Sequence, residues 1–262
     1  MTGRAARAEL AQLTRLWRTC FHDSEAEVRA FWERFADKAD IFCAREGKKV
    51  TAMACALPVQ LLDDAGESHT AAYLYAVATD PACRGRGLCK EVLACAERAL
   101  REQGCEYAIL IPAEAGLFVL YGRYGYQTVF FRGHAEIGGA ACAGKVEKVS
   151  AGTYFSLREL LLFDSFVSVD PDFLAYQATS DLLLRVETDG QVHCAVCARD
   201  GAELTVKELL PYTPEAAALL LQHFGCERGV CLTPSGALPY GMCKALSDAP
   251  LPLGCYLGLA LD

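Results

Sequence analysis

A glycine-containing turn joins a predicted strand to the most regular helical pattern in the chain, and this unit restricts the fold most strongly. Strand-forming residues run from His69 to Thr79. An apolar stripe at helical spacing then predicts a helix over 87–103, and the buried-strand pattern 105–112 follows it. A strand–helix–strand unit of this length requires a right-handed crossover between two parallel strands. The sequence therefore predicts an α/β fold with a mixed sheet.

Flanking patterns extend this unit into a first domain over residues 1–135. Helices are predicted at 5–20 and 24–36, the second capped by Asp23 or Ser24. The other predicted elements are strands 39–45 and 48–61, helix 115–124 and strand 126–131. The Gly- and Ala-rich residues 138–144 predict a linker.

The second half, 145–262, repeats this order more weakly. Its predicted elements are helix 152–162, strands 182–187, 191–199 and 203–210, helix 214–224, and strands 229–233, 241–246 and 255–260. This order predicts a degenerate duplicate with a second mixed sheet and the 214–224 helix on one face. Where the duplicate would carry its own turn, Pro211–Glu215 has neither glycine nor basic residue. The apolar run Tyr256–Leu261 is expected to be buried.

Composition excludes several classes of protein. The net charge of −8 comes without a basic stripe, so no nucleic acid is expected as a partner. No apolar stretch approaches the ~18 residues of a membrane span, and the first residues show no signal-peptide core. We therefore expect a cytoplasmic protein without a membrane partner.

The chain has 14 cysteines, which we expect to be reduced and mostly buried. The one Cys-x-x-Cys, Cys194 to Cys197, falls in a predicted strand, where side chains three apart point to opposite faces. No second ligand pair stands at suitable spacing, so no metal site is predicted.

The turn at 80–90 has the character of an anion site. Gly85 and Gly87 allow a tight turn and close approach of a ligand to the backbone. The first helical amides and the helix dipole face that turn, and Arg84, Arg86 and Lys90 add positive charge. A pyrophosphate fits such a site. The nucleotide-binding Gly-Lys-Ser/Thr pattern is absent, and the dinucleotide fingerprint would need a glycine where Lys90 stands.

The remaining pattern, Arg-x-x-Gly-x-small at Arg84, Gly87 and Cys89, resembles the acetyl-CoA loop of the GNAT N-acetyltransferase family. Downstream, Leu120-Tyr-Gly-Arg-Tyr-Gly-Tyr126 is similar to the family's aromatic-Tyr-x-x-x-Gly-Phe/Tyr segment. The resemblance covers about residues 5–132. It implies a GNAT fold followed by a second, GNAT-like domain without a pyrophosphate loop. This tandem layout resembles relatives of the enhanced intracellular survival acetyltransferases.

The resemblance also implies the activity, which is transfer of the acetyl group of acetyl-CoA to an amine by direct attack. Tyr121 would protonate the departing thiolate. Glu114, where many relatives carry an Asn, is a second catalytic candidate that would order water or substrate. The implied cofactor-binding residues are Val77, Ala78 and Thr79 for the pantetheine arm and acetyl group, and Arg84, Gly85, Arg86, Gly87, Leu88, Cys89 and Lys90 for the pyrophosphate. Cys89 departs from the family's Gly or Ala, and a thiol at a helix N-terminus can be acidified.

The base, the acceptor and the oligomeric state stay open. The candidate bases are Glu67, His69, Tyr73, Tyr75, Glu114 and the carboxylates of Asp262. The acceptor classes are a small amine or amino acid, an aminoglycoside-like polyamine, and a protein N-terminus. Two rival functions are a non-catalytic acyl-CoA sensor and a scaffold built on the same fold.

Overall fold

The computed structural model describes residues 1–138, 143–162 and 164–261. The chain forms two compact units. The first comprises Met1–Leu61, Ser68–Gln127 and Met242–Leu251, and the second Leu62–Glu67, Thr128–Gly241 and Pro252–Asp262. These bounds differ from the predicted 1–135 and 145–262, because a C-terminal segment returns to the first unit. Most of the predicted linker and Asp262 lie outside the described residues.

The first unit contains every helix and strand predicted for residues 1–124, whereas the predicted strand 126–131 falls mostly in the second unit. In chain order these are β1 (Thr2–Arg4), α1 (Leu10–Phe21), α2 (Glu25–Phe35), β2 (Asp40–Glu46), β3 (Lys49–Leu62), β4 (Ser68–Thr79), α3 (Leu88–Glu102), β5 (Tyr107–Leu110) and α4 (Ala115–Gly122). Strand β1 was not predicted because three residues carry no readable period. Ser24 caps α2, accepting a hydrogen bond from the Glu27 amide at 3.2 Å.

The strands of the first unit follow the order β1-β2-β3-β4-β5. Strands β1, β2 and β3 pair antiparallel, whereas β4 and β5 pair parallel, as the crossover through α3 requires. Residues 242–245 then pair antiparallel with β5. The apolar stripe of α3 covers the sheet, where Val92, Leu93 and Ala96 are at most 1% exposed.

The remaining elements complete the chain. They are β6 (Gln127–Glu136), β7 (Gly144–Lys148), α5 (Ala151–Leu161), β8 (Phe166–Ser168), α6 (Pro171–Gln177), β9 (Leu182–Thr188), β10 (Gln191–Asp200), β11 (Glu203–Leu210), α7 (Pro214–Phe224) and β12 (Arg228–Ala245). The prediction of separate strands at 229–233 and 241–246 was wrong, since β12 runs without interruption. The short elements β7, β8 and α6 were missed.

The second unit orders its strands β12-β11-β10-β9-β7. Strands β11 and β12 are parallel and the other pairs antiparallel. Helix α7 packs on one face of this sheet against Leu184, Val186, Leu204 and Val206, which confirms its predicted place. The order β9-β10-β11-α7-β12 therefore matches β2-β3-β4-α3-β5, each with a parallel pair around its helix.

The predicted strand at 255–260 was wrong. Only Tyr256 forms an isolated bridge, with Phe166, because Gly254 and Gly258 have φ angles of +82° and +75° that interrupt extended backbone. A Cβ at Gly258 would lie 2.5 Å from Glu208 Oε1, so only glycine fits. The burial of this run is confirmed, with Leu257, Leu259 and Leu261 at most 5% exposed.

Within the described residues, no helix combines the length and the apolar character that crossing a bilayer would require.

Candidate functional site

Helix α3 begins one residue after Gly87, and its first turn has no side-chain cap. Gly85 and Gly87 have φ angles of +76° and +80°, a left-handed conformation that favours glycine. The Glu91 amide is the first to bond within the helix, to the Gly87 carbonyl at 3.1 Å. In the described structure the amides of residues 88–90 have no protein acceptor. These donors face a turn where a Cβ at Gly87 would meet nothing within 4 Å.

Asp80 anchors the start of this turn. Its Oδ1 accepts a hydrogen bond from the Ala82 amide at 3.0 Å, and its own amide donates to the Thr51 carbonyl at 2.8 Å. The Lys49 ammonium, 2.6 Å from Asp80 Oδ2, lowers the pKa of the Asp80 carboxyl. Asp80 was not among the predicted site residues, although an Asp directly before Pro81 is a sequence signal for such a cap.

The three cations of the turn differ in their surroundings. Arg84 is exposed, and its Nε donates to the Thr79 carbonyl at 3.4 Å. Arg86 forms an ion pair with Glu46 of β2. Lys90 is exposed on the first turn of α3. Among the described residues, Arg84 and Lys90 form no ion pair with a carboxylate, and both lie in or next to the turn with the open amides.

Strand β4 contains a bulge at Ala76 that the sequence did not indicate. Ala76 has a φ of +49° and is 6% exposed. Leu74 and Val77 both pack into the core beneath α3, although residues three apart in a regular strand face opposite sides. The positive φ at Ala76 shifts the alternation of side chains by one residue, as a β-bulge does. No glycine or proline stands at this position, so the sequence pattern of β4 gives no sign of the bulge.

Strands β4 and β5 pair over only three residues, Ala71–Tyr73 with Tyr107–Ile109. Strand β4 continues to Thr79 beyond this ladder. The predicted pantetheine contacts, Val77, Ala78 and Thr79, all lie in that continuation. Their backbone groups on the β5 side are thus past the end of the β4–β5 ladder.

Tyr121 lies in the last turn of α4 and is 5% exposed. Its ring is 6.4 Å from that of Tyr124 and 6.2 Å from that of Tyr126, both edge-on. Burial, and then the nearby Cys89, raise the pKa of the Tyr121 hydroxyl. The hydroxyl is therefore protonated at neutral pH and able to donate a proton.

Cys89 is half-buried on the first turn of α3. Burial raises the pKa of its thiol to about 11. Desolvation thus outweighs the acidifying effect that a helix N-terminus can exert on a thiol. Cys89 is a neutral thiol at physiological pH, which favours packing over a nucleophilic role.

The structure does not bring Glu114 to Tyr121. Glu114 is the exposed residue that precedes α4, and its side chain caps no amide of that helix. Seven helical residues at about 1.5 Å each separate the two by about 10 Å along the axis. A catalytic role for Glu114 stays a prediction.

The other candidate bases have different surroundings. His69 Nδ1 is 3.1 Å from Glu106 Oε1. The rings of Tyr73 and Tyr75 lie 5.9 Å apart, and Tyr75 is 5.4 Å from the ring of Trp17. Glu67 is exposed in the turn before β4. Asp262 lies outside the described residues, and its role as a base stays a prediction.

Cys194 and Cys197 lie on opposite faces of β10. Cys197 belongs to the core beneath α7, whereas Cys194 lies beside Tyr154 and Glu208. These two thiols cannot share one ion.

The sequence matches the model of the acetyltransferase (GNAT) domain over residues 3–129. These residues, which hold the turn, α3 and Tyr121, form a domain of the GNAT acetyltransferase family. The match supports an acyltransferase activity in general terms. No curated sequence gives a significant match to the chain.

Several solved structures share the fold. A conserved protein of unknown function from Enterococcus faecalis V583, described as a probable N-acyltransferase, is 17% identical with a TM-score of 0.74, over 94% of this chain and 72% of its own. A GCN5-related N-acetyltransferase from Anabaena variabilis ATCC 29413 is 14% identical with a TM-score of 0.74, over 94% and 73%. A tandem GNAT protein from the clavulanic acid biosynthesis pathway is 9% identical with a TM-score of 0.62, over 95% and 99%. The predicted fold class, a mixed α/β GNAT fold, is confirmed.

Proposed function

We propose that this protein transfers the acetyl group of acetyl-CoA to an amine acceptor, using the first unit alone to bind the cofactor. The observation that carries the proposal is the uncapped start of α3. Three amides without a protein acceptor and the positive end of the helix dipole face the same turn as Arg84 and Lys90. Such a site stabilises a dianionic pyrophosphate. Arg86 contributes through the nitrogens that its pair with Glu46 leaves available.

The extension of β4 beyond the β4–β5 ladder supports the rest of the cofactor assignment. A pantetheine arm carries amide groups that bond to backbone in the manner of a further strand. Val77, Ala78 and Thr79 offer that backbone, directly before the turn that would hold the pyrophosphate. The bulge at Ala76 turns one backbone group out of the regular ladder near the expected position of the acetyl carbonyl.

The chemistry requires one acid and one base. The neutral amine attacks the acetyl carbonyl carbon, an N–C bond forms, and the C–S bond breaks. The departing thiolate takes a proton from the Tyr121 hydroxyl, which is protonated at neutral pH as a phenol ordinarily is. The proton lost by the amine passes to water or to a carboxylate. This scheme uses no covalent enzyme intermediate.

A non-catalytic acyl-CoA sensor is the alternative, since it would need the turn but not Tyr121. The position of Tyr121 near Cys89, on the first turn of α3, favours the enzyme. Acetyl-CoA binding without any turnover would favour the sensor.

The experiment is to measure CoA thiol release from acetyl-CoA with a panel of amines, covering amino acids, polyamines and peptides with free N-termini. Calorimetry with CoA runs in parallel. Amine-dependent thiol release at 1:1 stoichiometry with acetylated product is the expected result. Absence of CoA binding would overturn the proposal and would point to a scaffold.

A further inference from the structure

The ammonium of Lys244 lies against the turn that follows α4. Lys244 is near the end of β12 and pairs with Ala108 of β5. Its Nζ donates to the Tyr124 carbonyl at 2.9 Å and lies 5.5 Å from the ring centre of Tyr126. Its Cε would lie 3.4 Å from a Cβ at Gly125, a residue with a φ of +93°. One side chain thus contacts three successive residues of this turn.

Glu97 of α3 completes the contact. Lys244 Nζ lies 2.5 Å from Glu97 Oε2, and the Tyr126 hydroxyl donates to Glu97 Oε1 at 3.0 Å. The Glu97 and Lys244 side chains are only 9% and 24% exposed. A charge pair this far from solvent holds its geometry, because separating the charges would leave each one poorly solvated. The turn is therefore fastened both to α3 and to β12.

The same turn is bonded to Tyr121. The amides of Tyr124 and Tyr126 both donate to the Tyr121 carbonyl, at 2.9 and 3.1 Å. The rings of both tyrosines also contact that of Tyr121 edge-on. A shift of the turn would therefore move the Tyr121 backbone and both rings that pack against its phenol.

We propose that Lys244, paired with Glu97, is a positioning residue for Tyr121, supplied from more than a hundred positions further along the chain. The inference rests on the proposed function, in which the Tyr121 hydroxyl donates the proton to the departing thiolate. Lys244 itself touches neither substrate nor cofactor in this scheme. It holds the turn so that the hydroxyl meets the sulfur.

The test is Lys244→Met, which keeps the length of the stem and removes the charge. Misplacement of a catalytic group by about 1 Å can cost 10²-fold in rate. We therefore expect kcat for acetyl transfer to fall by about 10-fold or more, with the Kd of CoA within twofold. Lys48→Met, at an exposed lysine in the β2–β3 turn, is the matched control and should leave both unchanged. Lys244→Arg, which keeps a cation, should recover part of kcat.

A double-mutant cycle with Tyr121→Phe separates positioning from stability. If Lys244 acts through the Tyr121 hydroxyl, Lys244→Met should lower kcat much less in the Y121F background than in wild type. The loss in thermal stability should be the same in both backgrounds. If Lys244→Met alone does not fold, the cycle is run with Glu97→Gln and with the K244M/E97Q pair, which leaves no unpaired charge.

Equal kcat losses in both backgrounds, or no loss at all, would overturn the inference while leaving the proposed function intact. Failure of the wild-type protein to transfer acetyl groups would instead overturn the proposed function, and this inference with it.

Discussion

The two crossover helices, α3 and α7, occupy the same place in the same topology but begin in opposite ways. Helix α3 starts at a left-handed glycine with no cap. Helix α7 starts after Thr213, whose Oγ1 accepts a hydrogen bond from the Ala216 amide at 3.2 Å. Pro214 then removes a further amide donor, and Glu215 places a negative charge in the first turn.

The difference shows that topology alone does not make an anion site. A parallel strand–helix–strand unit aims a helix N-terminus at the end of the sheet in both units. In α7, however, Thr213 caps the Ala216 amide and Glu215 would repel an anion. We propose that the second unit is a degenerate GNAT-like domain that binds no CoA. Four predictions test this contrast.

The largest effect is expected in the second unit. Arg158 and Glu208, 1% and 0% exposed, form a buried pair, and the hydroxyls of Tyr154 and Tyr256 donate to Glu208 at 2.8 and 2.9 Å. Arg158→Met leaves the Glu208 carboxylate buried without its cationic partner, and should lower the free energy of unfolding by about 3–5 kcal/mol. Urea unfolding measures the loss.

The exposed Arg199 provides the control for that variant. Arg199→Met should stay within about 0.5 kcal/mol of wild type. If folded Arg158→Met protein also lost its affinity for CoA, the second unit would contribute to CoA binding. The proposed difference between the two units would then be wrong.

The next effect concerns two buried tyrosines, one in each unit. Tyr121→Phe should lower kcat by about 10²-fold, since general acid catalysis contributes at least that much, with CoA affinity unchanged. Tyr154→Phe should leave kcat near wild type but cost about 1–3 kcal/mol of stability, because Glu208 loses a donor. Steady-state kinetics and thermal melts compare the two. Equal kcat for Tyr121→Phe and wild type would remove Tyr121 from the mechanism.

Two left-handed glycines offer a smaller and closely matched comparison. Gly87 begins α3 with a φ of +80°, and Gly225 ends α7 with a φ of +60°. Changing either to Ala should cost about 1–2 kcal/mol of stability. Only Gly87→Ala should also weaken CoA binding, by about 10-fold, because its Cβ would enter the space of the anion. Similar Kd values for both variants in calorimetry would argue against the pyrophosphate site.

The smallest effect is a pH dependence in the first unit. Arg45, bonded to both carboxylate oxygens of Glu9 at 2.5 and 2.6 Å, lowers the pKa of Glu9 from 4.5 to about 2. A carboxyl whose pKa is lower in the folded state than in the unfolded state stabilises the fold at any pH above the unfolded-state pKa. This contribution is lost as the pH falls through the folded-state pKa. The free energy of unfolding of the wild type should thus exceed that of Glu9→Gln by about 1 kcal/mol at pH 7. The two free energies should converge as the pH approaches 2.

Glu203→Gln is the control for that pH series. Glu203 pairs with Arg228, and the two side chains are 60% and 78% exposed. The free energy of unfolding of Glu203→Gln should therefore differ little from that of the wild type at any pH. A gap between wild type and Glu9→Gln that persisted at low pH would show that packing, and not charge, accounts for the effect.

Local pattern was enough to predict much of this protein. The turn at 80–90, the helix that follows it and the Tyr121 segment all depend on residues within a few positions of one another. Glycine spacing and helical periodicity therefore reveal them. The predicted 87–103 helix differs from the observed Leu88–Glu102 by one residue at each end. The start of α7, which lacks glycine and basic residues, was equally readable.

Tertiary structure decided the rest. Ala76 takes a positive φ because strand pairing and core packing hold it there, and alanine carries no local signal for that conformation. Residues 242–245, at the end of β12, belong to the first unit and pair with β5 there. Lys244 reaches Glu97 across 147 positions of the chain. Periodicity records which side of an element faces the core, but it cannot record which distant partner completes that core.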